Sequence, residues 1–190
     1  RHRRPCCGGA DPHALPVSGA RLRPWRASDA DVVWGTILAD AQVARQFPEL
    51  QGLDQVAEYL LAPGRDDRVG FAIVDAHDAV VGGVAAQVNH RMRSAWVSYW
   101  LTAPARGSGL ATRALLGLCA WLVARGTHRL ELGHRLNNPA SQRVAERAGF
   151  VREGVLREEL EYDGLRYDTA LMSRLPSDPV PHTEPLPGLD

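Results

Sequence analysis

The chain has 190 residues and no lysine, so all 22 of its basic residues are arginine. A phosphate-binding P-loop needs its lysine beside the phosphates, and Schiff-base chemistry, including that of pyridoxal phosphate, needs a lysine amine. Both classes of enzyme are therefore excluded. Isoleucine is also scarce, at Ile37 and Ile73 only, and asparagine stands only at positions 89, 137 and 138. This usage is typical of a gene rich in G and C, so codon bias explains the missing lysine without a functional cause.

Net charge and long apolar runs are missing as well. The 22 basic side chains balance 22 acidic ones and are scattered, which gives no electrostatic footprint for nucleic acid or a membrane surface. No apolar run approaches the roughly 18 residues of a membrane span. Three cysteines make no disulfide framework, and the histidines and cysteines show no metal-ligand spacing. We therefore expect a cytoplasmic protein without a metal, in which Cys119 is an inert core residue.

The hydrophobic pattern predicts one domain over residues 19–175. Before it, residues 1–18 have no periodicity and are predicted to be a flexible leader that contains Cys6 and Cys7. After it, residues 176–190 are predicted to be a disordered tail, because proline cannot hold regular structure. The prolines of this tail are Pro176, Pro179, Pro181, Pro185 and Pro187.

The order of the predicted elements indicates a mixed α/β, or α+β, fold. A strand is followed by two helices, three strands in an antiparallel meander, a helix, a strand, a further helix and a closing hairpin. The first helix is predicted to begin at Ser28 and Asp29, which are suited to cap it. Predicted strands cover residues 20–23, 69–74, 80–88, 95–101, 128–133, 151–160 and 165–172, and the later helices cover residues 53–61, 110–125 and 139–148.

The segment Arg106-Gly107-Ser108-Gly109-Leu110-Ala111 lies between a predicted strand and a predicted helix and has the chemistry of an anion site. The first amide groups of a helix have no internal partners and sit at the positive end of its dipole. The two glycines permit a tight turn and close approach of a ligand, and the arginine adds donors for phosphate oxygens. A glycine-rich turn without a ligand is the alternative. A Rossmann fingerprint is excluded, because it requires glycine where Thr112 stands.

The second informative segment is Asn137-Asn138-Pro139-Ala140-Ser141. Locally it is typical of a helix start, with Asn138 as the N-cap, Pro139 at N1 and Ser141 at N3. A helix start by itself is sufficient to explain these residue types. Two of the three asparagines of the chain fall here, however, which favours a further role for them.

These two segments, in this order and about thirty residues apart, resemble the GCN5-related N-acetyltransferase (GNAT) superfamily. Its acetyl-CoA loop has Gln or Arg, then x-x-G-x, then Gly or Ala, which Arg106, Gly109 and Ala111 satisfy. More narrowly, the chain over residues 19–175 is similar to the ribosomal-protein-alanine acetyltransferase group of the RimJ/RimL type. The further shared motifs are Arg21-Leu22-Arg23-Pro24, Tyr99-Trp100-Leu101, Asn138 with Ser141, Glu146 with Gly149-Phe150, and Asp163-Gly164 followed by Asp168.

The resemblance implies the fold and the activity in more detail. The fold would be a central, mostly antiparallel sheet of six to seven strands, with a splayed strand pair and helices on both faces. The activity would be acetyl transfer from acetyl-CoA to a primary amine, either a protein N-terminus or a small molecule. A homodimer is consistent with the resemblance, although the sequence itself does not show one.

Roles for single residues are also implied by the resemblance. The backbone of Leu101 and Thr102 would pair with the pantetheine amides like an added strand. Asn138 would hydrogen-bond the pantetheine or the acceptor, and Ser141 would protonate or solvate the leaving thiolate. Arg143 would reach the adenosine 3′-phosphate, with a solvated helix face as the alternative. The pyrophosphate would lie on the loop of Arg106, Gly107, Ser108, Gly109, Leu110 and Ala111.

The implied reaction is attack of a neutral amine on the thioester through a tetrahedral oxyanion, which a backbone N–H near Leu101 would stabilise. At pH 7 about a tenth of an α-amine is neutral, but only roughly one in 2,500 of a lysine amine, so an α-amine needs little help from a base. Relatives often carry a glutamate base where this chain has Trp96. The candidates that remain are Glu131, which we include with Ser141 and Asn138 in the predicted catalytic set, His134 and His90. For each of the three a surface or hydrogen-bonded structural role is the alternative, so the assignment of the base stays open.

Other hypotheses stay open at this level. A loop that binds the phosphates does not discriminate between acyl groups, so another acyl-CoA, such as succinyl-CoA, is an alternative donor. A catalytically silent CoA-binding module is favoured by Trp96 in the glutamate position and disfavoured by the presence of Asn138 and Ser141. The acidic hairpin from Glu158 to Asp168 could attract a cationic amine, peptide or aminoglycoside, or could be a solvated face.

Overall fold

A computed structural model of the chain describes residues 18–62 and 67–189. The predicted leader, apart from Ser18, lies outside the described residues, and so do Cys6 and Cys7. The strands are β1 (Arg21–Pro24), β2 (Arg68–Val74), β3 (Val80–Asn89), β4 (Ser94–Leu101), β5 (Arg129–Arg135), β6 (Val151–Tyr162) and β7 (Leu165–Arg174). The α-helices are α1 (Ala30–Ala39), α2 (Ala41–Ala44), α3 (Leu53–Leu61), α4 (Leu110–Ala124) and α5 (Pro139–Arg147).

The strands form one sheet in the order β1-β2-β3-β4-β5-β7-β6. Every neighbouring pair is antiparallel except β4 and β5, which run parallel. That parallel pairing covers only three residues of each strand and ends at Trp96 and Glu131. Beyond this point β4 continues along β3 as far as Leu101, and β5 continues along β7 as far as Arg135. The two strands therefore separate, and the expected splayed, mostly antiparallel sheet is confirmed.

Helices cover both faces of the sheet, as expected. On one face, here the α4 face, α4 and α5 pack on a core that includes Leu22, Val97 and Leu132. On the opposite face, the α1 face, α1, α2 and α3 pack on a smaller core around Val74 and Trp100. No helix in the two described ranges is both long and apolar enough to cross a membrane.

The start of the first helix differs from the prediction. Residues Ala27–Asp29 form a 3-10 turn, and α1 begins one residue later, without a side-chain cap from Asp29. The Asp29 carboxylate instead accepts two hydrogen bonds from the buried Arg23 guanidinium, at 2.7 and 2.9 Å, and one from the Arg26 backbone N–H. Burial tends to raise the pKa of Asp29, but these hydrogen bonds outweigh it and lower the pKa below its usual value. The carboxylate thus neutralises a buried arginine rather than capping α1.

The C-terminal tail is the second correction. Residues 176–189 contain no helix or strand, but the prediction that they are disordered is wrong, because they pack on the domain. The Leu22 N–H donates to the Pro187 carbonyl at 2.8 Å, and the Leu186 N–H donates to the Arg113 carbonyl at 2.9 Å. The Leu186 side chain is only 3% exposed within the α4-face core. Proline prevents regular structure but not docking, and the apolar side chain of Leu186, directly between Pro185 and Pro187, supplies the contact.

We predict that Leu186→Ala lowers the free energy of unfolding by about 3 kcal/mol, because it leaves a cavity in the core. Val180→Ala in the same tail should change it by less than about 0.5 kcal/mol, since Val180 is 82% exposed. Urea denaturation of the two variants measures the difference. Equal stabilities would show that the tail does not contribute to the folded domain.

Candidate active site

The separation of β4 from β5 opens a cleft with a volume of about 450 Å³. Its walls come from the ends of both strands, the start of α4, the start of α5, helix α2 and strand β6. The Thr102 N–H donates to the Val81 carbonyl at 2.9 Å, so the peptide at this position faces β3. Successive residues of a strand alternate in direction, so the backbone groups of Leu101 and Tyr99 face the other way, toward the cleft. The ladder with β5 has ended there, which leaves an open strand edge along the cleft.

This arrangement corrects one of the two predicted pantetheine contacts. Leu101 lines the cleft, and its carbonyl already accepts a hydrogen bond from Arg106 at 3.2 Å. The N–H and the hydroxyl of Thr102 both donate to Val81, so Thr102 has no donor left for a ligand. The sequence could not show which of the two residues has a backbone group free for a ligand, because the direction of a peptide group depends on which neighbour the strand pairs with.

The predicted anion loop has the geometry that its glycines require. Gly107 and Gly109 have φ values of +78° and +84°, a region that favours glycine. A Cβ at either position would meet no atom within 4 Å, so both glycines border open space. Gly109 is the N-cap residue of α4, whose 15 residues give this end a full helix dipole. The loop therefore presents backbone amides and open volume at one end of the cleft, which fits a phosphate group.

The side chains of the loop are used differently from its backbone. The Ser108 hydroxyl donates to the Ala105 carbonyl at 2.6 Å, and the Leu110 side chain is buried in the core. Both can reach a ligand only through their backbone. Gly107 and Ala111 line the cleft directly. Arg106 also lines it, but its guanidinium is paired with Asp40, a carboxylate that the sequence did not single out.

Asp40 joins the loop to helix α2, which the sequence did not predict. Its carboxylate accepts hydrogen bonds from the N–H groups of Gln42 and Val43 and so caps α2. Four residues of α2 and its end line the cleft: Gln42, Val43, Arg45 and Gln46. The helix has only four residues, which is too short to produce a periodic apolar pattern.

The start of α5 brings the second predicted segment to the cleft. The Asn138 side-chain oxygen accepts from the Ser141 N–H at 3.1 Å, so the predicted N-cap geometry is present. Both residues also line the cleft, next to Tyr99. Burial raises the pKa of Tyr99, although its hydrogen bond to the Ser141 carbonyl, 3.4 Å long, partly offsets this. The phenol is therefore a neutral donor at physiological pH.

The structure does not bring Glu131 to the site. Its carboxylate accepts from Arg129 at 3.0 Å, and Arg129 in turn is held by Glu153. Glu131 is not among the cleft-lining residues, so the structure gives no support to its predicted role as the base. Its carboxylate belongs to an ion-pair network on the sheet surface. Arg143 is exposed on α5, outside the walls of the cleft.

Of the three base candidates, His134 alone belongs to the wall of the cleft. It is 7% exposed, and its Nδ1 lies 3.0 Å from the Arg135 carbonyl oxygen. A carbonyl only accepts, so Nδ1 carries the hydrogen and Nε2 of the neutral ring is the acceptor. Nε2 is buried and has no hydrogen-bond partner among the described residues. His90 is exposed in the β3–β4 turn, with Asp67 at 3.9 Å, and lies away from the cleft.

Trp96, in the position where relatives often have a glutamate, stands at the last residue pair of the β4–β5 ladder. A Cβ at Gly133 would lie 3.0 Å from its ring, so the indole lies across Gly133 on the α1 face. The ring is therefore part of the cleft wall at the point where the strands separate. Thr169, on the same face, lines the cleft too, and its buried hydroxyl has no hydrogen-bond partner in the described residues.

Comparison with known proteins identifies the family. Residues 20–151 match the family described as acetyltransferase (GNAT) domain. Probable N-acetyltransferase YjcK of Bacillus subtilis is 25% identical over 170 residues, which cover 83% of this chain and 94% of that protein. Putative ribosomal N-acetyltransferase YdaF of the same species is 29% identical over 165 residues, covering 82% and 78%.

A solved structure agrees with these sequence relatives. RimJ of Mycobacterium smegmatis, in complex with CoA-disulfide, superposes with a TM-score of 0.70 at 29% identity and covers 83% of this chain and 82% of its own. The resemblance found in the sequence is confirmed at the level of the superfamily and of the RimJ/RimL-like group. The chain belongs to the acetyltransferase (GNAT) domain family and is an acetyl-CoA-dependent N-acetyltransferase.

Proposed function

We propose that the cleft between β4 and β5 binds acetyl-CoA and that the acceptor is an α-amine, such as a peptide N-terminus. One observation carries this assignment: an open strand edge and a glycine-built helix N-terminus meet on the same cleft. Extended pantetheine can pair with such an edge as a strand would, and pyrophosphate suits such a helix end. The relative YdaF, named a putative ribosomal N-acetyltransferase, supports a protein N-terminus as the acceptor.

On this proposal the loop from Arg106 to Ala111 holds the pyrophosphate with its backbone amides. Leu101 offers its backbone to the pantetheine, and Asn138 and Ser141 face the cleft from the start of α5. Arg143 stays the candidate for the adenosine 3′-phosphate, at the exposed side of α5. The cytoplasmic location and the homodimer expected from the sequence stay predictions, and so does the start of the domain at residue 19.

Proton transfer is the step to which the side chains of the cleft contribute most. The amine nitrogen attacks the thioester carbon, the C–N bond forms and the C–S bond breaks, while the developing oxyanion is met by a backbone N–H near Leu101. On this proposal His134 is the base: its Nε2, buried in the cleft wall without a partner among the described residues, takes a proton from the acceptor ammonium when the bound acceptor reaches it. Ser141 protonates or solvates the leaving thiolate.

We predict that Asp40→Asn tightens acetyl-CoA binding about threefold or more. Asparagine can still cap α2 through its side-chain oxygen, but it removes a carboxylate that competes with phosphate for Arg106. Isothermal titration with acetyl-CoA measures the dissociation constant. Asp163→Asn, which removes the exposed partner of Arg45, is the matched control and should leave it unchanged. Weaker binding in Asp40→Asn would contradict pyrophosphate binding by Arg106.

We predict that His134→Asn lowers kcat by at least about tenfold for a lysine-type amine and by less for an α-amine, because the former depends more on a base. Asparagine can keep the hydrogen bond to the Arg135 carbonyl. Thiol release measures kcat, and acetyl-CoA affinity should be unchanged. The control is His128→Asn, an exposed histidine just before β5. An equal loss for both amines would mean that His134 positions a ligand and does not accept the proton.

A further inference from the structure

The charged side chains that line the cleft are mostly cationic. Arg45, Arg106 and Arg135 belong to its walls, against a single carboxylate, that of Glu159. Two of the three arginines are neutralised by their own ion pairs. Arg106 is paired with Asp40, and Arg45 lies 2.8 Å from the carboxylate of Asp163.

Arg135 differs from the other two. Within the described ranges no carboxylate forms an ion pair with it. Its guanidinium is instead held by two aromatic rings, 5.5 Å from the centroid of Tyr162 and 5.1 Å from that of Tyr167. These distances fit a cation–π attraction, which leaves the N–H groups of the guanidinium available for an anion. Arg135 thus presents a half-buried cation at the wall of the cleft.

Arg135 lines the cleft from the α1 face of the sheet, beside the β6–β7 hairpin. It follows His134 on β5, and alternate side chains of a strand point to opposite faces. Its register partner on β7 is Thr169, which lies on the α1 face with Trp96 and Gly133. The rings of Tyr162 and Tyr167 belong to the hairpin that closes this end of the cleft.

The acidic hairpin does not offset this charge. Glu161 forms an ion pair with Arg166 at 2.5 Å, and Asp163 forms one with Arg45. Asp168 accepts a hydrogen bond from the Glu158 N–H at 2.9 Å. The expectation that this hairpin attracts a cationic amine therefore finds little support in the structure, since only Glu159 among its acidic residues lines the cleft.

We propose that Arg135 binds a carboxylate of the acceptor, so that the preferred substrate is a primary amine that carries a carboxylate close to it. The inference rests on the proposed function of the cleft. Two sources supply this chemistry: an acidic side chain near the N-terminus of a peptide, or the α-carboxylate of a free amino acid. The planar fork of arginine matches a carboxylate in a bidentate contact, and partial burial strengthens that contact. A polyamine, which carries only positive charge, is a poor fit for this wall.

Acceptor pairs that differ only in the carboxylate test the proposal. The peptide arm compares an amidated peptide beginning Ser-Glu with the same peptide beginning Ser-Gln, and the amino-acid arm compares serine with serinamide. For each acceptor, kcat/KM is measured in the wild type, in Arg135→Gln and in Arg152→Gln. Arg152 is an exposed arginine of β6 outside the cleft wall and serves as the matched control. Taking the ratio between enzymes for one acceptor cancels differences in amine basicity.

In at least one arm, Arg135→Gln should lower kcat/KM for the acidic acceptor by about tenfold, as expected for loss of a charge-assisted contact, and leave its neutral partner within about twofold. Arg152→Gln should change neither, and acetyl-CoA affinity should be the same in all three proteins. The arm that responds identifies the source of the carboxylate. An equal loss for acidic and neutral acceptors in both arms overturns the proposal but leaves the proposed function standing. Failure of the wild type to acetylate any amine, despite acetyl-CoA binding, overturns both.

Discussion

The site depends on one constraint, the end of β4–β5 pairing after three residues. Each strand keeps its other neighbour beyond that point, so β4 follows β3 and β5 follows β7 while the pair diverges. Trp96 stands at the last pair, and its ring lies across Gly133, where a side chain would collide with it. The divergence creates both the cleft and the open edge at Tyr99 and Leu101. Without it the sheet would be continuous, and the loop before α4 would border no cavity.

Helix α2 connects the two ends of this cleft through ion pairs. Its N-cap Asp40 contacts Arg106 of the loop before α4, and Arg45 at its other end contacts Asp163 at the tip of the β6–β7 hairpin. One four-residue helix thus links the loop before α4 to the β6–β7 hairpin. The same pairs leave Arg135 as the cation of the wall that carries no carboxylate partner among the described residues.

Local sequence signals predicted the parts of the structure that local physics decides. Helix α3 has the predicted bounds Leu53–Leu61, and Asn138 caps α5 as its position before Pro139 indicates. The tight turn of the loop from Arg106 to Ala111 was likewise predicted from its two glycines and from its position at the start of a helix. The ion-pair network of Glu131 could not be predicted in full, because Glu153, the second partner of Arg129, lies 24 residues from it in sequence, a separation that no local pattern reports.

Long-range contacts explain the remaining differences. Leu186 docks on a core assembled from distant strands, although the prolines around it exclude regular structure. The roles of Asp40 and Arg135 also depend on partners from other elements, and neither residue lies in a recognisable motif. The motifs therefore identified the family and the glycine-rich loop before α4, whereas the ion pairs of Arg106 and Arg45 became visible only in three dimensions.

A crystal structure of the protein with CoA tests the central claim most directly. The account predicts the pantetheine amides hydrogen-bonded to the backbone edge of β4 at Tyr99 and Leu101. It also predicts the pyrophosphate on the backbone amides between Gly107 and Ala111, with the thiol near Ser141. A CoA molecule bound elsewhere, with β4 and β5 still separated and the cleft empty, would contradict it.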